Sequence, residues 1–515
     1  MVKVMFKKFY FIIAILSFFS CSTKKIPEKY IPPDPSNKSG KELAQIYCGS
    51  CHQLPNPELL TKNIWEKNIL PKMAQRLGLE EDFFKLYYHY DTEELALIVN
   101  ANIYPKKPQL DKKDWVKIVK YYVDNAPLKS IRQAKKEKVT LGLTHFSTHK
   151  IYGIKDISPS VTAVKFIPEN KSFYASWRSA SSYLKKFSLN YMTTDSINVE
   201  SPVSYISFQN GVMNYLSMGK MDPNNKSKGC LWKLTNQNKS EKIISNLSRP
   251  VQMSLGDLNE DGIGDFLICN FGNEIGNLTW YDGKTFKPNV IKLAPGARTA
   301  YIKDLNNDKK LDIVVLMTQA REGVYVMYNK GKAEFNEKQV LEFPPVYGSS
   351  FIDLVDFNKD GFLDIVYTNG DNADLSYSLK AYHGIRIFLN DRKGNFTQSY
   401  FFPMFGAAKA VAVDFDLDGD LDIAAISFFP NRNQKPNEGF LLLENEGNNK
   451  FKISTFKEAS LGKWMVMDVA DMDSDGDSDI ILGSYLKNAN EDLEEMKLKI
   501  NDLPSIIVLE NKIHN

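Results

Sequence analysis

Five times between residues 257 and 479 the chain repeats the pattern D-x-[DN]-x-D-x-x-x-D. The loops are Asp257-Asn259-Asp261-Asp265, Asp304-Asn306-Asp308-Asp312, Asp356-Asn358-Asp360-Asp364, Asp414-Asp416-Asp418-Asp422 and Asp471-Asp473-Asp475-Asp479, and their starts are 47, 52, 58 and 57 residues apart. Oxygen side chains at positions 1, 3, 5 and 9, with a carbonyl near 7, can wrap six or seven oxygens around a hard cation, which is the chemistry of calcium. Gly262, Gly361, Gly419 and Gly476 stand at the sixth position, where the turn is sharp; the second loop has Lys309 there. One such loop would pass for a solvated acidic turn, but five in register do not. The pattern is not an EF-hand, which needs an acid at position 12 and flanking helices; here the ninth-position Asp opens an apolar strand. Only a bound dication makes this density of carboxylates tolerable, so up to five structural calcium ions are expected.

Around each loop the same order of elements recurs: an apolar strand, the loop, a second strand, a variable polar stretch, a third strand, a Gly-containing turn and a short last strand. Four strands per unit at a period of about fifty residues predict the blade of a β-propeller. Two weaker units, Val161–Leu189 and Val203–Leu234, carry the strand pattern without a complete loop and bring the count to seven. A strand over Thr144–Lys150 is expected to close the ring against Ser505–Leu509, since an open ring leaves an unpaired edge. These residues resemble the FG-GAP and VCBS repeat families of integrin-like propellers and bacterial exported proteins, strongly over residues 250–515. The resemblance implies an all-β propeller spanning 143–515.

A different chemistry precedes the repeats. Residues 48–52 read Cys-Gly-Ser-Cys-His. Two thiols three residues apart reach two vinyl-derived carbons on one porphyrin edge, and the adjacent His52 supplies a proximal iron ligand. A zinc site would want a further Cys or His pair nearby, and a thioredoxin-like redox pair a preceding strand. One covalent haem c on Cys48 and Cys51 is therefore expected, with His52 axial. Between His52 and Leu128 the candidates for the sixth position are Met73 and His89; Met73 is expected, with His89 or an open position as alternatives. Ser39-Gly-Lys-Glu42 has the form of a capping box that starts a helix into the motif. Trp115, Ile118, Val119 and Tyr122 fall on one face of a second helix that ends before Pro127. The region 38–128 resembles class I c-type cytochromes, and the resemblance implies a small all-α haem domain whose last helix packs across its first.

The N-terminus addresses the chain. Lys3, Lys7 and Lys8 precede the apolar run Phe9–Phe19, too short for a comfortable membrane span and suited to an export signal over residues 1–20. Ser20-Cys21 resembles a bacterial lipobox, which implies lipidation at Cys21; ordinary cleavage nearby is the alternative. Residues 21–37, with Pro27, Pro32, Pro33 and Pro35, form a tether, and the basic stretch 129–142 a linker between the halves. The three lysines account for the whole formal net charge of +3, so the exported chain is near neutral and lacks the electrostatic footprint of a nucleic-acid binder. Cys230 and Cys269 remain, as buried thiols or a disulfide.

The expected fold is thus multidomain, a small helical cytochrome domain followed by a seven-bladed propeller. The expected place is the bacterial cell envelope, anchored to a membrane by lipid. On propellers, binding sits in loops at one end of the channel. Here those are Asn270–Asn277, Thr318–Gly323, Thr368–Gly384, Phe428–Gly439 and Tyr485–Pro504, carrying Arg321, Asp371, Asp374, His383, Arg386 and Arg432. Arg249, Arg298, Lys409 and Lys463 suggest a cationic funnel. No Ser-His-Asp order and no flavin, nicotinamide or quinone fingerprint is present. Electron transfer to a redox partner protein, such as another c-type cytochrome, is the leading expectation, with the propeller binding a protein or glycan. The alternative is a fusion dehydrogenase that oxidises a sugar and passes electrons to the haem; it lacks a visible two-electron cofactor site.

Overall fold

A computed structural model describes residues 34–513, apart from 81, 180–181, 210, 236–238, 373–376 and 449. The export signal, Cys21, most of the tether and Asp374 lie outside the described residues.

Together with the strand Phe146–Ile151, residues 161–511 build seven four-stranded antiparallel blades. In chain order, blades 1 to 6 span 161–199, 203–247, 250–292, 297–342, 349–403 and 407–455. Blade 7 takes three strands from 464–511 and its outermost strand, Phe146–Ile151, from the other end of the chain. That strand pairs antiparallel with Ile506–Asn511, so the ring closes much as the sequence predicts. The innermost strand of blade 7, Trp464–Ala470, lies against that of blade 1, Val161–Ile167. There Lys165 Nζ is 3.0 Å from Asp468 Oδ1, and the Phe166 amide donates to Asp468 Oδ2 at 2.7 Å.

Blades 1 and 2 lack the acidic loop yet share the geometry of the others. In all seven, the pairing between the first two strands skips a residue near the start of the inner strand. Both have a full fourth strand, Thr193–Val199 and Ser240–Leu247, beyond the units seen in the sequence. The apolar core is layered, with one cluster between each neighbouring pair of blades. Ala424 and Ile426 of blade 6, for example, pack on Ile480 and Leu482 of blade 7.

Residues 40–125 are helical. The helix Gly40–Tyr47 opens with the predicted capping box: Ser39 Oγ accepts from the Glu42 amide, and Glu42 Oε2 accepts from the Ser39 amide. The helix Lys112–Asn125 crosses it, burying Ile118 and Tyr122. The crossing is close: a Cβ on Gly40 would stand 2.1 Å from the Lys117 carbonyl oxygen. Leu43, Ala44, Trp65 and Leu70 complete this core, but Val346 and Tyr382 of the propeller also pack into it. Among the described residues no helix is long and apolar enough to cross a membrane.

The stretch expected as a linker, 129–142, lies against the propeller as a strap. Lys136 forms an enclosed ion pair with Glu438 at 2.7 Å and donates to the Pro403 carbonyl. Val139–Leu141 then adds to blade 6 as a fifth strand, parallel to Phe451–Thr455. An extended chain passing a sheet edge gains backbone hydrogen bonds there, and pairing covers an edge that would otherwise be open.

Candidate functional site

Antiparallel strands put the acidic loops and the variable segments at opposite ends of the ring, because the loops join first to second strands and the segments second to third. The helical region covers the variable end over blades 2 to 5. The buried Glu94 carboxylate accepts from the Asn225 amide at 2.7 Å. Lys226 pairs with Asp91, Lys228 with Glu93 at 3.2 Å, and Arg76 with Glu274. Arg321 Nε donates to the Cys51 carbonyl oxygen at 2.9 Å. Three of the five segments expected to meet an external ligand, 270–277, 318–323 and 368–384, therefore face the chain's own helices. The expected cationic funnel is also tied down. Lys463 is buried against Asp492, Arg249 donates to the Gly272 and Met221 carbonyls, Arg298 to Ser350 and Lys409 to Met467.

The Cys-Gly-Ser-Cys-His motif sits where the first helix ends. Cys48 is half-buried on the edge of the helical core, and Cys51 is exposed. Burial pushes the Cys48 thiol up to about 11. A redox-active thiol needs the opposite shift, so Cys48 is not poised as a thiolate nucleophile. His52 Nδ1 lies 2.9 Å from the Gln53 carbonyl oxygen, which assigns the ring proton to Nδ1 and leaves Nε2 unprotonated. Burial holds the imidazole below its ordinary pKa and hence neutral, the form that binds a metal. Cys51 and His52 open onto a cleft of about 280 Å³. Two reduced thiols and an imidazole fixed through its far nitrogen are the donor types of a c-type haem, but the cleft beside them is small, lined by charged and polar residues, and not reached by Cys48. Met73 is part-buried on the helix Leu70–Arg76 and His89 is exposed beside Tyr90; neither lines the cleft.

Cys230 and Cys269 are both buried free thiols, in blades 2 and 3, so the disulfide alternative is not formed.

The acidic loops hold their shape through their own amides. In the first, Asp257 accepts from the Asp261 amide at 3.0 Å and the Gly262 amide at 2.8 Å. Asp304 and Asp356 repeat this arrangement with Asp308, Lys309, Asp360 and Gly361. In two loops three carboxylates converge, Asp414-Asp416-Asp418 and Asp471-Asp473-Asp475, with an oxygen of each within 4.8 Å of the others. Asp414 Oδ1 is buried there without a hydrogen-bond partner. These donors suit a hard, oxygen-seeking cation. In the other loops Asn259, Asn306 and Asn358 stand between the acids and bring carbonyl oxygens of the same class.

The ninth-position residues play a part that the sequence pattern did not reveal. Asp265, Asp312, Asp364, Asp422 and Asp479 are buried at the start of their strands. One oxygen of each accepts from the amide of the loop's second residue, between 2.8 and 3.1 Å. The other accepts from an amide at the far end of the third strand or, for Asp265, from Gly283 just beyond it, between 2.7 and 2.8 Å. Each carboxylate thus ties its loop to the neighbouring turn.

A family profile described as FG-GAP-like repeat matches residues 304–367, the second acidic loop through the second strand of blade 5. No curated protein matches the chain. Among solved structures, the Pan2 WD40 domain of Neurospora crassa is similar at 11% identity, covering 72% of this chain and 97% of that one, with a TM-score of 0.43. A putative 6-phosphogluconolactonase from Bacteroides uniformis is similar at 10% identity, covering 56% and 82%, with a TM-score of 0.38. The fold assignment rests on the strand order and the closed ring. The chain is a seven-bladed β-propeller with FG-GAP-like repeats, an architecture suited to binding a ligand.

Proposed function

We propose that this chain is an exported c-type haem protein that carries single electrons, built on a calcium-stabilised propeller. One haem c would be held by Cys48 and Cys51 with His52 on the iron, and it would supply the one-electron chemistry. Met73 is the proposed sixth ligand; His89 and an open position are the alternatives. The carrying observation is the His52 ring, whose Nδ1 is engaged by the Gln53 carbonyl beside two reduced thiols. Up to five calcium ions would occupy the acidic loops as structural staples, the converging Asp414 and Asp471 triads giving the most direct support. Lipid on Cys21 would hold the chain at the bacterial envelope. The propeller would dock a protein or glycan, and the haem would exchange electrons with a partner such as another c-type cytochrome. With blades 2 to 5 covered by the helices, the variable segments over blades 6 and 7 are the proposed docking face.

The test is made on full-length protein produced with a c-type haem maturation system. A denaturing gel stained for haem should show covalent haem in the wild type and lose it in Cys48→Ala/Cys51→Ala. The oxidised protein is then offered reduced small c-type cytochromes and a panel of sugars, sugar acids and alcohols. Reduction by the cytochromes alone supports the carrier; reduction by one organic compound makes the chain a dehydrogenase.

A further inference from the structure

Between the strap and the adjoining loops of blades 5 and 6 lies a second, open cleft of about 400 Å³, within the roughly 300–1,000 Å³ range of small-ligand sites. Its chemistry differs from that of the cleft beside His52. Among the described residues lining it, Arg132 alone is charged. Half-buried Phe405 and exposed Ile131 and Leu379 supply apolar surface, and the rest is neutral and polar. Gln133 of the strap and Gln434 of blade 6 also line it, and each holds a buried amide atom without a hydrogen-bond partner. For Gln133 that atom is Nε2, a donor; for Gln434 it is Oε1, an acceptor. Glu438 fixes which end of Gln434 is which. It is 3% exposed and ion-paired with Lys136, so it is an acceptor, and the Gln434 atom facing it is Nε2. One carboxylate thus anchors the strap and leaves the Gln434 carbonyl oxygen unpaired.

We infer that this cleft binds a neutral glycan, whose hydroxyl groups are held by Gln133 and Gln434. The inference rests on the reading of the propeller as a docking module and needs no haem. A buried amide atom left unpaired is unfavourable, and a ligand that supplies the missing bond relieves it. Here one atom must donate and the other accept. A sugar hydroxyl does both, so two hydroxyls of one ring, or of neighbouring rings, satisfy the pair. Both side chains line the cleft, so a turn about their own bonds brings these atoms to a ligand that fills it. The C–H faces of a pyranose are apolar and pack on surfaces such as Phe405, Ile131 and Leu379. The lining also argues against charged ligands. An anion would meet one exposed guanidinium, and a cation would find no carboxylate among the described lining residues.

The experiment offers the full-length protein an array of neutral and acidic oligosaccharides. The glycans retained are then titrated calorimetrically into wild type, Gln133→Leu, Gln434→Leu and Phe405→Ala. The expected result is binding of neutral glycans, weakened about tenfold for each amide replaced, which is the effect of one lost hydrogen bond. Gln133 Nε2 has no partner in the fold to lose, so Gln133→Leu should keep or raise the melting temperature while it weakens binding. That separates loss of a ligand contact from loss of the fold. Binding of a neutral glycan that none of the substitutions weakens overturns the inference and leaves the docking reading standing. Retention of acidic glycans alone overturns it too. If no glycan is retained, the inference falls together with the glycan half of the docking reading, and a protein is left as the partner.

Discussion

At the scale of a single residue, Glu322 is the group whose surroundings make the firmest demand. It is 2% exposed and accepts from the Ser349 hydroxyl at 2.6 Å and the Ser349 amide at 3.0 Å. Burial pushes its carboxyl up to about 8, against those hydrogen bonds. A carboxyl raised in the folded state keeps a proton that the unfolded chain releases near pH 4.3, so its contribution to stability is complete below that pH and drains away as pH rises toward 8. The slope from one such group reaches about 1.4 kcal/mol per pH unit within that window. Glu322→Gln mimics the protonated acid and removes the titration. Urea unfolding of wild type and variant at pH 5, 6, 7 and 8 should show the variant gaining on the wild type with each step. A constant gap between the two would mean that Glu322 is ionised in the fold.

At the scale of the element, the repeated unit was legible because aspartates mark the same turn in five blades. The ninth-position Asp was read only as a ligand, since spacing cannot show that its two oxygens face two backbone amides. The outer strands of blades 1 and 2 were missed for another reason. Thr193–Val199 has only Ile197 and Val199 as apolar residues, both half-exposed, too short an alternation to mark a strand, so the pairing that defines it is written in its neighbour. The ninth-position role makes a prediction that metal binding alone does not. Asp312 accepts from the Leu305 amide at 3.1 Å and the Asn329 amide at 2.8 Å. Asp312→Ala strands both donors, at about 1–3 kcal/mol for each buried group left unpaired. Denaturant unfolding in excess chelator should still show a loss of a few kcal/mol. If chelator abolishes the difference between variant and wild type, the carboxylate acts only through a cation.

At the scale of the molecule, the sequence separated the chain into halves that the structure joins. The contacts doing so, Glu94 to Asn225 and Cys51 to Arg321, lie 131 and 270 residues apart and leave no local pattern. From the helices over blades 2 to 5, the chain runs along blades 5 and 6 as a strap and finishes as the outer strand of blade 7. One covalent segment therefore touches most of the ring. A closed ring shares its fate, because opening one blade interface exposes the apolar layers on both sides of it. Calcium bound to loops at the other end would stabilise that ring by mass action, growing with the logarithm of its concentration over its dissociation constant. Calorimetry of the full-length protein should show the main transition fall when a calcium chelator is added and return when calcium is restored. Asp416→Ala/Asp473→Ala, which removes a carboxylate from each converging triad, should blunt that fall. The helices should follow the propeller, with amides in Gly40–Tyr47 and Lys112–Asn125 exchanging faster once chelator loosens the ring beneath them. A transition indifferent to chelator would mean that the loops stand on their own amides, and that the cation is not part of what holds this propeller closed.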